Sequence, residues 1–224
     1  MQKYSVFSLI KNALSNHKNW DLAWKDPTPK KEYDVVIIGG GGHGLATAYY
    51  LAKEHNITNV AIIEKGWIGG GNVGRNTTII RSNYMYDENA LFSEFGMNLW
   101  RKMSQDLNYN VMFSPRGIIN LAHSDAQMNV YARRGNSMRL NGIDAVLLNR
   151  EQVKEIIPMA DFSENVRFPI FGGLMQPSAG TARHDAVAWG YARQADSMGV
   201  DIIQNCEVIG LSLIHISEPT RHLD

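Results

Sequence analysis

Closely spaced glycines and one downstream carboxylate form the pattern in this sequence that is best suited to chemistry. Among the four consecutive glycines, only Gly39, Gly41 and Gly44 fit the spacing G-x-G-x-x-G. In that spacing the first glycine allows a tight turn, the second lets the backbone approach a pyrophosphate, and the third allows a helix to pack closely on a strand. Glu64 follows Gly44 by 20 residues (64 − 44), the spacing of a carboxylate that binds ribose hydroxyls. The pattern predicts a dinucleotide site.

Two strands and a helix must position these residues. The β-branched run at 35–38 predicts a central parallel strand that is buried on both faces. Residues 45–53 contain good helix formers without Gly or Pro, so the helix start should present N–H groups and a positive dipole to phosphates. A second predicted strand, residues 60–63, ends directly before the acid. The negative charge of Glu64 would repel a 2′-phosphate, which favours FAD or NAD over NADP.

The loop after the second strand favours a flavin. Residues 65–84 have the sequence KGWIGGGNVGRNTTIIRSNY, with a short β-like run at 77–80. Nicotinamide enzymes usually have a modest helix here, whereas an elaborate loop suggests a backbone wrapped around a larger cofactor. The loop's Asn and Thr side chains could meet the isoalloxazine edge and the phosphates, and simple turn or strand-cap chemistry is the alternative for each of them.

Composition and charge limit the classes of partner. A chain of 224 residues with 44% hydrophobic content can form one sizeable α/β domain, or a large domain plus part of another. Lys plus Arg and Asp plus Glu both number 22, so no net charge attracts nucleic acid or an anionic membrane, and neither is an expected partner. The single cysteine, Cys206, is interpreted as a packed thiol; it excludes an intrachain disulfide and fits a reducing compartment.

The N-terminal 32 residues predict a helix and a linker. Phe7, Ile10, Leu14 and Trp20 follow a helical pattern rather than that of a signal peptide, and prolines and lysines then lead into the first strand. No stretch approaches the roughly 20 apolar residues of a membrane span. We therefore expect a soluble, cytoplasmic protein.

Longer motifs resemble a known family. Residues 33–84, with NLAH at 120–123, RLNGID at 139–144 and RHDAVAWGYAR at 183–193, resemble the β subunits of heterotetrameric sarcosine oxidases, which are flavin amine oxidases of the D-amino acid oxidase type. The resemblance covers almost everything up to Gly210 and implies noncovalent FAD. The expected FAD contacts are Gly39, Gly41, Gly42, His43, Gly44, Glu64, Lys65, Asn72, Arg75, Asn76, Thr77, Thr78, Ile80 and Val208.

The resemblance also gives Arg81 a role. The segment TTIIRSNY is similar to the one in which related amine oxidases place an arginine on the substrate carboxylate. A guanidinium fork matches a carboxylate in two parallel hydrogen bonds, so Arg81 is expected to bind sarcosine. The alternatives are a structural salt bridge or a solvated arginine, and Arg75 is the competing candidate.

His184 precedes a predicted helix that Asp185 can cap and that Gly199 follows. The inward positions predicted for this helix are Val187, Tyr191, Ala195 and Met198. The positive end of a helix dipole disfavours a protonated imidazole, which keeps a neutral nucleophile available. On spacing alone a capping or surface role is the commoner one, but the resemblance implies that His184 carries FMN covalently at the boundary with the α subunit.

The middle of the chain contains further predicted helices. Residues 87–104 carry Leu91, Phe95, Leu99 and Trp100 at a helical spacing that predicts core packing. A helix at 127–140 has Val130, Arg134 and Met138 on one side and other basic residues on a solvated face. A short helix at 151–158 is stopped by Pro158, residues 166–175 supply one or two strands, and His123 closes a strand.

These elements give an α/β fold with a Rossmann-like FAD-binding domain and part of a β-rich substrate domain. The expected domains are 1–32 (helix and linker), 33–112 with 180–210 (FAD binding), 113–179 (partial substrate or interface domain) and 211–224 (a non-native tail). The tail, containing SLIHISEPTRHLD, matches no part of the family and is typical of translated adapter sequence. Its His215, Glu218 and His222 are therefore not interpreted as a metal site, and no metal is expected.

The resemblance implies oxidative demethylation of sarcosine to glycine by hydride transfer to FAD, with electrons passing through FMN to oxygen. Tetrahydrofolate and the α, γ and δ subunits are the other expected partners of the full complex. The family's second half carries further substrate-binding side chains and an oxygen-activating lysine, so this fragment alone is expected to be inactive. The alternatives are a single-subunit oxidase or dehydrogenase for glycine or another secondary amine, and a non-catalytic nucleotide-fold binding module.

Overall fold

The structure is a computed structural model that describes residues 5–16, 18, 22–163 and 165–212. Its helices are α1 (Val6–Leu14), α2 (Gly42–His55), α3 (Asp87–Asp106), α4 (Asp125–Leu140), α5 (Arg150–Ile156) and α6 (His184–Ser197). Its strands are β1 (Val35–Ile38), β2 (Val60–Ile63), β3 (Ile79–Ile80), β4 (Ile118–Ala122), β5 (Val146–Asn149), β6 (Gly172–Gln176), β7 (Gly180–Thr181) and β8 (Asp201–Ile203). This mixture of helices and sheets is the predicted α/β class.

One compact unit draws on the chain up to Gly74 and from Tyr191 onward, and it contains a parallel sheet in the order β1-β2-β8. Helix α2 connects β1 to β2, which forms a βαβ unit. Strand β2 is the buried centre of the sheet, since Val60, Ala61 and Ile62 have no exposed surface. The predicted strand–helix–strand arrangement around the glycine turn is therefore confirmed.

The prediction that β1 is central and buried on both faces is wrong for the described chain. Ile37 lies on the side of α2, because a Cβ at Gly44 would be 3.2 Å from its Cγ2. On the opposite face Val36 and Ile38 are 50% and 57% exposed. Within the described ranges β1 pairs with β2 alone, so it is an edge strand. A β-branched run thus identified the strand but not its position in the sheet.

The other compact unit spans Arg75–Gly190 and is antiparallel. Its three-stranded sheet has the order β4-β6-β5, and β3 pairs with β7. Helices α4 and α5 pack on β6. Two apolar clusters form its core, one of Ala90, Met138, Ile143 and Leu174 and one of Leu148, Val153 and Ile170. The functional domains expected at 33–112 with 180–210 and at 113–179 remain a prediction, because a compact unit need not coincide with a functional domain.

The predicted core role of Leu91 and Phe95 in α3 is wrong, because they are 54% and 64% exposed. The helix buries Ala90, Met97 and Met103 instead. The buried stripe is offset from the predicted one. It consists of an alanine and two methionines, whose side chains are smaller or more flexible than the predicted leucines and aromatic residues.

Helix α1 forms as predicted, and its Phe7, Ile10 and Leu14 are exposed. The interpretations placed on Trp20 and on the tail beyond Ser212 lie outside the described residues. Among the helices that the structure describes, none is both long and apolar enough to cross a membrane.

Candidate functional site

The glycine turn between β1 and α2 has the geometry of an anion site. Gly39 has φ +110°, and its N–H donates to the carbonyl of Ile63 at 2.8 Å. A Cβ at Gly44 would lie 2.1 Å from the carbonyl oxygen of Gly39, so only glycine lets the helix approach the turn this closely. Gly41 caps α2 without any side-chain hydrogen bond. Because Gly41 has no side chain to accept the first-turn N–H groups, this helix start suits an external anion.

Glu64 bridges this turn to the following loop. Its Oε2 accepts the N–H of Gly40 at 2.7 Å, and its Oε1 accepts the N–H of Gly66 at 2.8 Å. Its backbone N–H donates to Ile203 at 2.9 Å, and its carbonyl accepts the N–H of Cys206 at 3.0 Å. Each carboxylate oxygen keeps further acceptor capacity, which suits a ribose hydroxyl.

Several other residues expected around the cofactor are exposed. His43 is exposed in the first turn of α2, and Lys65 is exposed directly after Glu64. Asn72 and Arg75 are the exposed ends of a short 3-10 helix, Asn72–Arg75. Val73 of that helix packs near the start of α2, because a Cβ at Gly42 would lie 3.3 Å from its Cγ2.

Val208 is half-buried and lies beyond the end of β8, outside regular structure. Strand β8 ends at Ile203. Cys206 is a half-buried free thiol.

The loop before Arg81 combines turn chemistry with local strain. Asn76 Oδ1 accepts the N–H of Thr78 at 2.7 Å, which is the turn chemistry considered as the alternative for this residue. Thr78 has φ +59°, a conformation that a β-branched residue rarely adopts. Thr77 is exposed beside it, and β3, which includes Ile80, follows.

Arg81 immediately follows β3 and has neutral partners. Its Nη1 donates to Asn83 Oδ1, and its guanidinium lies 4.8 Å from the centre of the Tyr84 ring. Among the described residues Arg81 forms no salt bridge. The salt-bridge alternative is therefore not what holds this side chain in the described chain.

Sequence reasoning missed Asn83, which accepts a hydrogen bond from Arg81, and the role of Arg134, which donates to Asn83. Asn83 is fully buried, and its Nδ2 donates to Asn120 Oδ1 at 2.7 Å. Arg134, on α4, donates through Nη2 to the backbone carbonyl of Asn83 and to its Oδ1 at 3.0 Å. The available signal was a cation at position 134 on the apolar side of a predicted helix, where a charge is uncommon without a partner.

Burial, and next the nearby charge of Arg81, lower the pKa of Arg134 below its usual value. The Nε atom of Arg134 is buried and has no hydrogen-bond partner in the described part of the chain. Arginine nevertheless stays protonated in proteins, so the cluster of Arg81, Asn83 and Arg134 holds two positive charges.

His184 lies at the start of α6. The helix begins at His184 itself, so Asp185 lies in its first turn, and the prediction that Asp185 caps the helix is wrong. Asp185 instead binds Arg183 in two hydrogen bonds of 2.9 and 2.7 Å, which hold the pKa of its carboxyl below the usual range. The Nδ1 of His184 is buried and has no partner among the described residues.

The inward face predicted for α6 is largely confirmed. Val187, Tyr191 and Ala195 are buried, and Met198 is half-buried. Gly199 follows the helix with φ +101°. Strand β7, which precedes this helix, pairs with β3 in the register Ile79↔Thr181. The segment that carries Arg81 is thus joined by strand pairing to the one that leads to His184.

In the described ranges no group of three His, Cys, Asp or Glu side chains could hold a metal ion. His215, Glu218 and His222 lie outside those ranges.

Comparison with known proteins identifies a family and several relatives. The family described as FAD dependent oxidoreductase matches residues 34–220. Sarcosine oxidase subunit beta of Rhizobium meliloti is 62% identical over 209 residues, which cover 93% of this chain and 50% of that protein. The protein of the same name in Rhodobacter capsulatus is 53% identical over 211 residues, with coverages of 94% and 51%. The chain spans about half the length of the curated relatives it matches.

Among solved structures, L-proline dehydrogenase from P. horikoshii superposes with a TM-score of 0.75 at 28% identity. The match covers 84% of this chain and 48% of that one. The likeness confirms the predicted Rossmann-like α/β fold, and the family match includes the whole glycine turn, Glu64 and Arg81. The chain belongs to the FAD dependent oxidoreductase family.

Proposed function

We propose that the full-length protein is the β subunit of a sarcosine oxidase, which demethylates sarcosine oxidatively to glycine. The observation that carries the substrate class is Arg81, whose guanidinium binds a neutral amide and is left without a carboxylate partner among the described residues. A substrate carboxylate would supply the missing anion. The identity of 62% to a sarcosine oxidase subunit beta supports sarcosine as that substrate.

The residues around the glycine turn fit FAD. Gly41 leaves the start of α2 open to a pyrophosphate, and Glu64 is held in place by two N–H groups where it can accept from ribose hydroxyls. The other proposed FAD contacts are Gly39, Gly42, His43, Gly44, Lys65, Asn72, Arg75, Asn76, Thr77, Thr78, Ile80 and Val208.

The chemistry that FAD supplies when bound is acceptance of a hydride from the N-methyl carbon of sarcosine. The amine nitrogen's electron pair forms the C=N bond of an imine, which water hydrolyses to glycine and formaldehyde or which passes its one-carbon unit to tetrahydrofolate. Arg81 contributes orientation, because a bidentate contact with the carboxylate fixes the methylamine end of the substrate.

We also propose that His184 carries FMN covalently, through which electrons pass to oxygen in a complex with α, γ and δ subunits. The buried Nδ1 without a described partner and the position at the start of α6 support a special role for this imidazole. Acid precipitation of the full complex should leave yellow flavin on this subunit, and His184→Asn should release it. A colourless subunit from the unmodified complex would exclude the covalent bond.

Arg81→Met in the full-length protein, assembled with its partner subunits, tests the substrate role. The KM for sarcosine should rise by roughly 10- to 100-fold, because a charge-assisted contact is lost. Arg116→Met is the matched control, since Arg116 is an exposed arginine of the same compact unit, and its KM should change less than about twofold. Arg75→Met tests the competing candidate. An unchanged KM in Arg81→Met, or a larger effect in Arg75→Met, would overturn the assignment.

A further inference from the structure

The cluster of Arg81, Asn83 and Arg134 directs two guanidinium groups at one neutral amide. Arg81 Nη1 and Arg134 Nη2 both donate to Asn83 Oδ1, and Arg134 also donates to the backbone carbonyl of Asn83. Asn83 is itself immobilised, because it is fully buried and its Nδ2 donates to Asn120. The amide therefore fixes both arginines in one place.

The charges of this cluster are not balanced within the described chain. Neither Arg81 nor Arg134 forms a salt bridge with a described residue. The nearby aromatic rings are those of Tyr84 and Tyr131, and neither side chain is a carboxylate. Arg134 is only partly exposed, and the N–H of its Nε has no hydrogen-bond partner among the described residues. Two like charges held together and partly desolvated favour the arrival of an anion.

We propose that Arg134 is a positioning residue of the carboxylate site: it holds Arg81 through Asn83 and adds a second positive charge that raises the affinity for the carboxylate. This inference rests on the proposed function and names a further residue for it. Arg134 lies on α4, more than 50 residues along the chain from Arg81 (134 − 81 = 53), so the site would join two distant segments of the unit spanning Arg75–Gly190.

The test uses the full-length, flavin-loaded protein in its complex and acetate as the carboxylate probe. The dissociation constant of acetate is measured from the change in flavin absorbance, and kcat and KM are measured with sarcosine. The variants are Arg134→Met, Arg134→Lys and Arg81→Met. Arg133→Met is the matched control, because Arg133 is the neighbouring residue of α4 and is exposed.

Arg134→Met should weaken acetate binding and raise the KM for sarcosine, each by roughly 10-fold, with a smaller effect on kcat. Arg134→Lys should recover part of the acetate affinity, because the charge returns while the two-pronged contact with Asn83 does not. Arg133→Met should shift both constants less than about twofold. A purely structural role of Arg134 predicts no such recovery with lysine.

If Arg81→Met weakens acetate binding but Arg134→Met behaves like Arg133→Met, the inference about Arg134 is overturned and the proposed function stands. If Arg81→Met leaves acetate binding unchanged, the carboxylate role of Arg81 fails, and the role of Arg134 fails with it.

Discussion

The glycine turn and the cluster of Arg81, Asn83 and Arg134 are built in opposite ways. The turn uses backbone groups of one β–α connection and a single carboxylate, Glu64, that bonds to neighbouring N–H groups. The cluster uses side chains from separate segments, which approach one another because β3, β4 and α4 fold together in the same unit. A site formed by backbone groups therefore depends on residue spacing along the chain. A site formed by side chains from distant segments depends on tertiary packing.

The largest effect should come from the turn. Gly44→Ala places a Cβ 2.1 Å from the carbonyl oxygen of Gly39, so α2 must move away from β1. We expect a loss of about 3 kcal/mol or more in the free energy of unfolding and loss of FAD from the purified full-length protein. Thermal unfolding and the ratio of flavin to protein absorbance measure the two effects.

Gly41→Ala is the control for this variant. Gly41 has φ −81°, and the nearest atom to an added Cβ is 3.9 Å away, so the fold should accept alanine. Its Tm should stay within about 2 °C of the unmodified protein while FAD affinity falls, because the methyl group obstructs the pyrophosphate. Equal stability of Gly44→Ala and Gly41→Ala would show that the close helix approach is not essential.

A smaller effect is expected in the cluster. Asn83→Ala removes the amide that both arginines share and leaves the Asn120 side chain without its partner. Unpaired buried polar groups lower the free energy of unfolding by about 2 kcal/mol. Urea unfolding should report this loss, and Asn129→Ala, an exposed position of α4, should change stability by less than about 0.5 kcal/mol. A neutral Asn83→Ala would mean that water replaces the amide without loss.

The smallest effect is expected at the surface pair of Arg183 and Asp185. The hydrogen bonds from Arg183 lower the pKa of Asp185 below its unfolded value, so the pair stabilises the fold above that unfolded value and the contribution is lost as the pH falls through the folded pKa. Asp185→Asn should therefore lower Tm by about 1–3 °C at pH 7. The difference from the unmodified protein should disappear in strong acid, and a difference that grew on acidification would contradict this sign.

The same contrast explains what the sequence could predict. The spacing of Gly39, Gly41 and Gly44 determines the turn locally, so the dinucleotide motif and its βαβ setting were accessible without a structure. The edge position of β1 and the exposure of Phe95 could not be predicted from the sequence. The first depends on which strands pair with β1, and the second on which elements pack against α3. The contact of Arg134 with Asn83 was inaccessible for the same reason, since no local pattern links residues this far apart.

Anaerobic mixing of the full-length, flavin-loaded protein with sarcosine tests the central proposal most directly. The proposed chemistry transfers a hydride from the substrate to FAD, so the absorbance of the oxidised flavin should bleach at a rate that saturates with sarcosine concentration, with glycine formed. Arg81→Met should need much more sarcosine to reach the same rate. Flavin that stays oxidised at saturating sarcosine would contradict the proposed function.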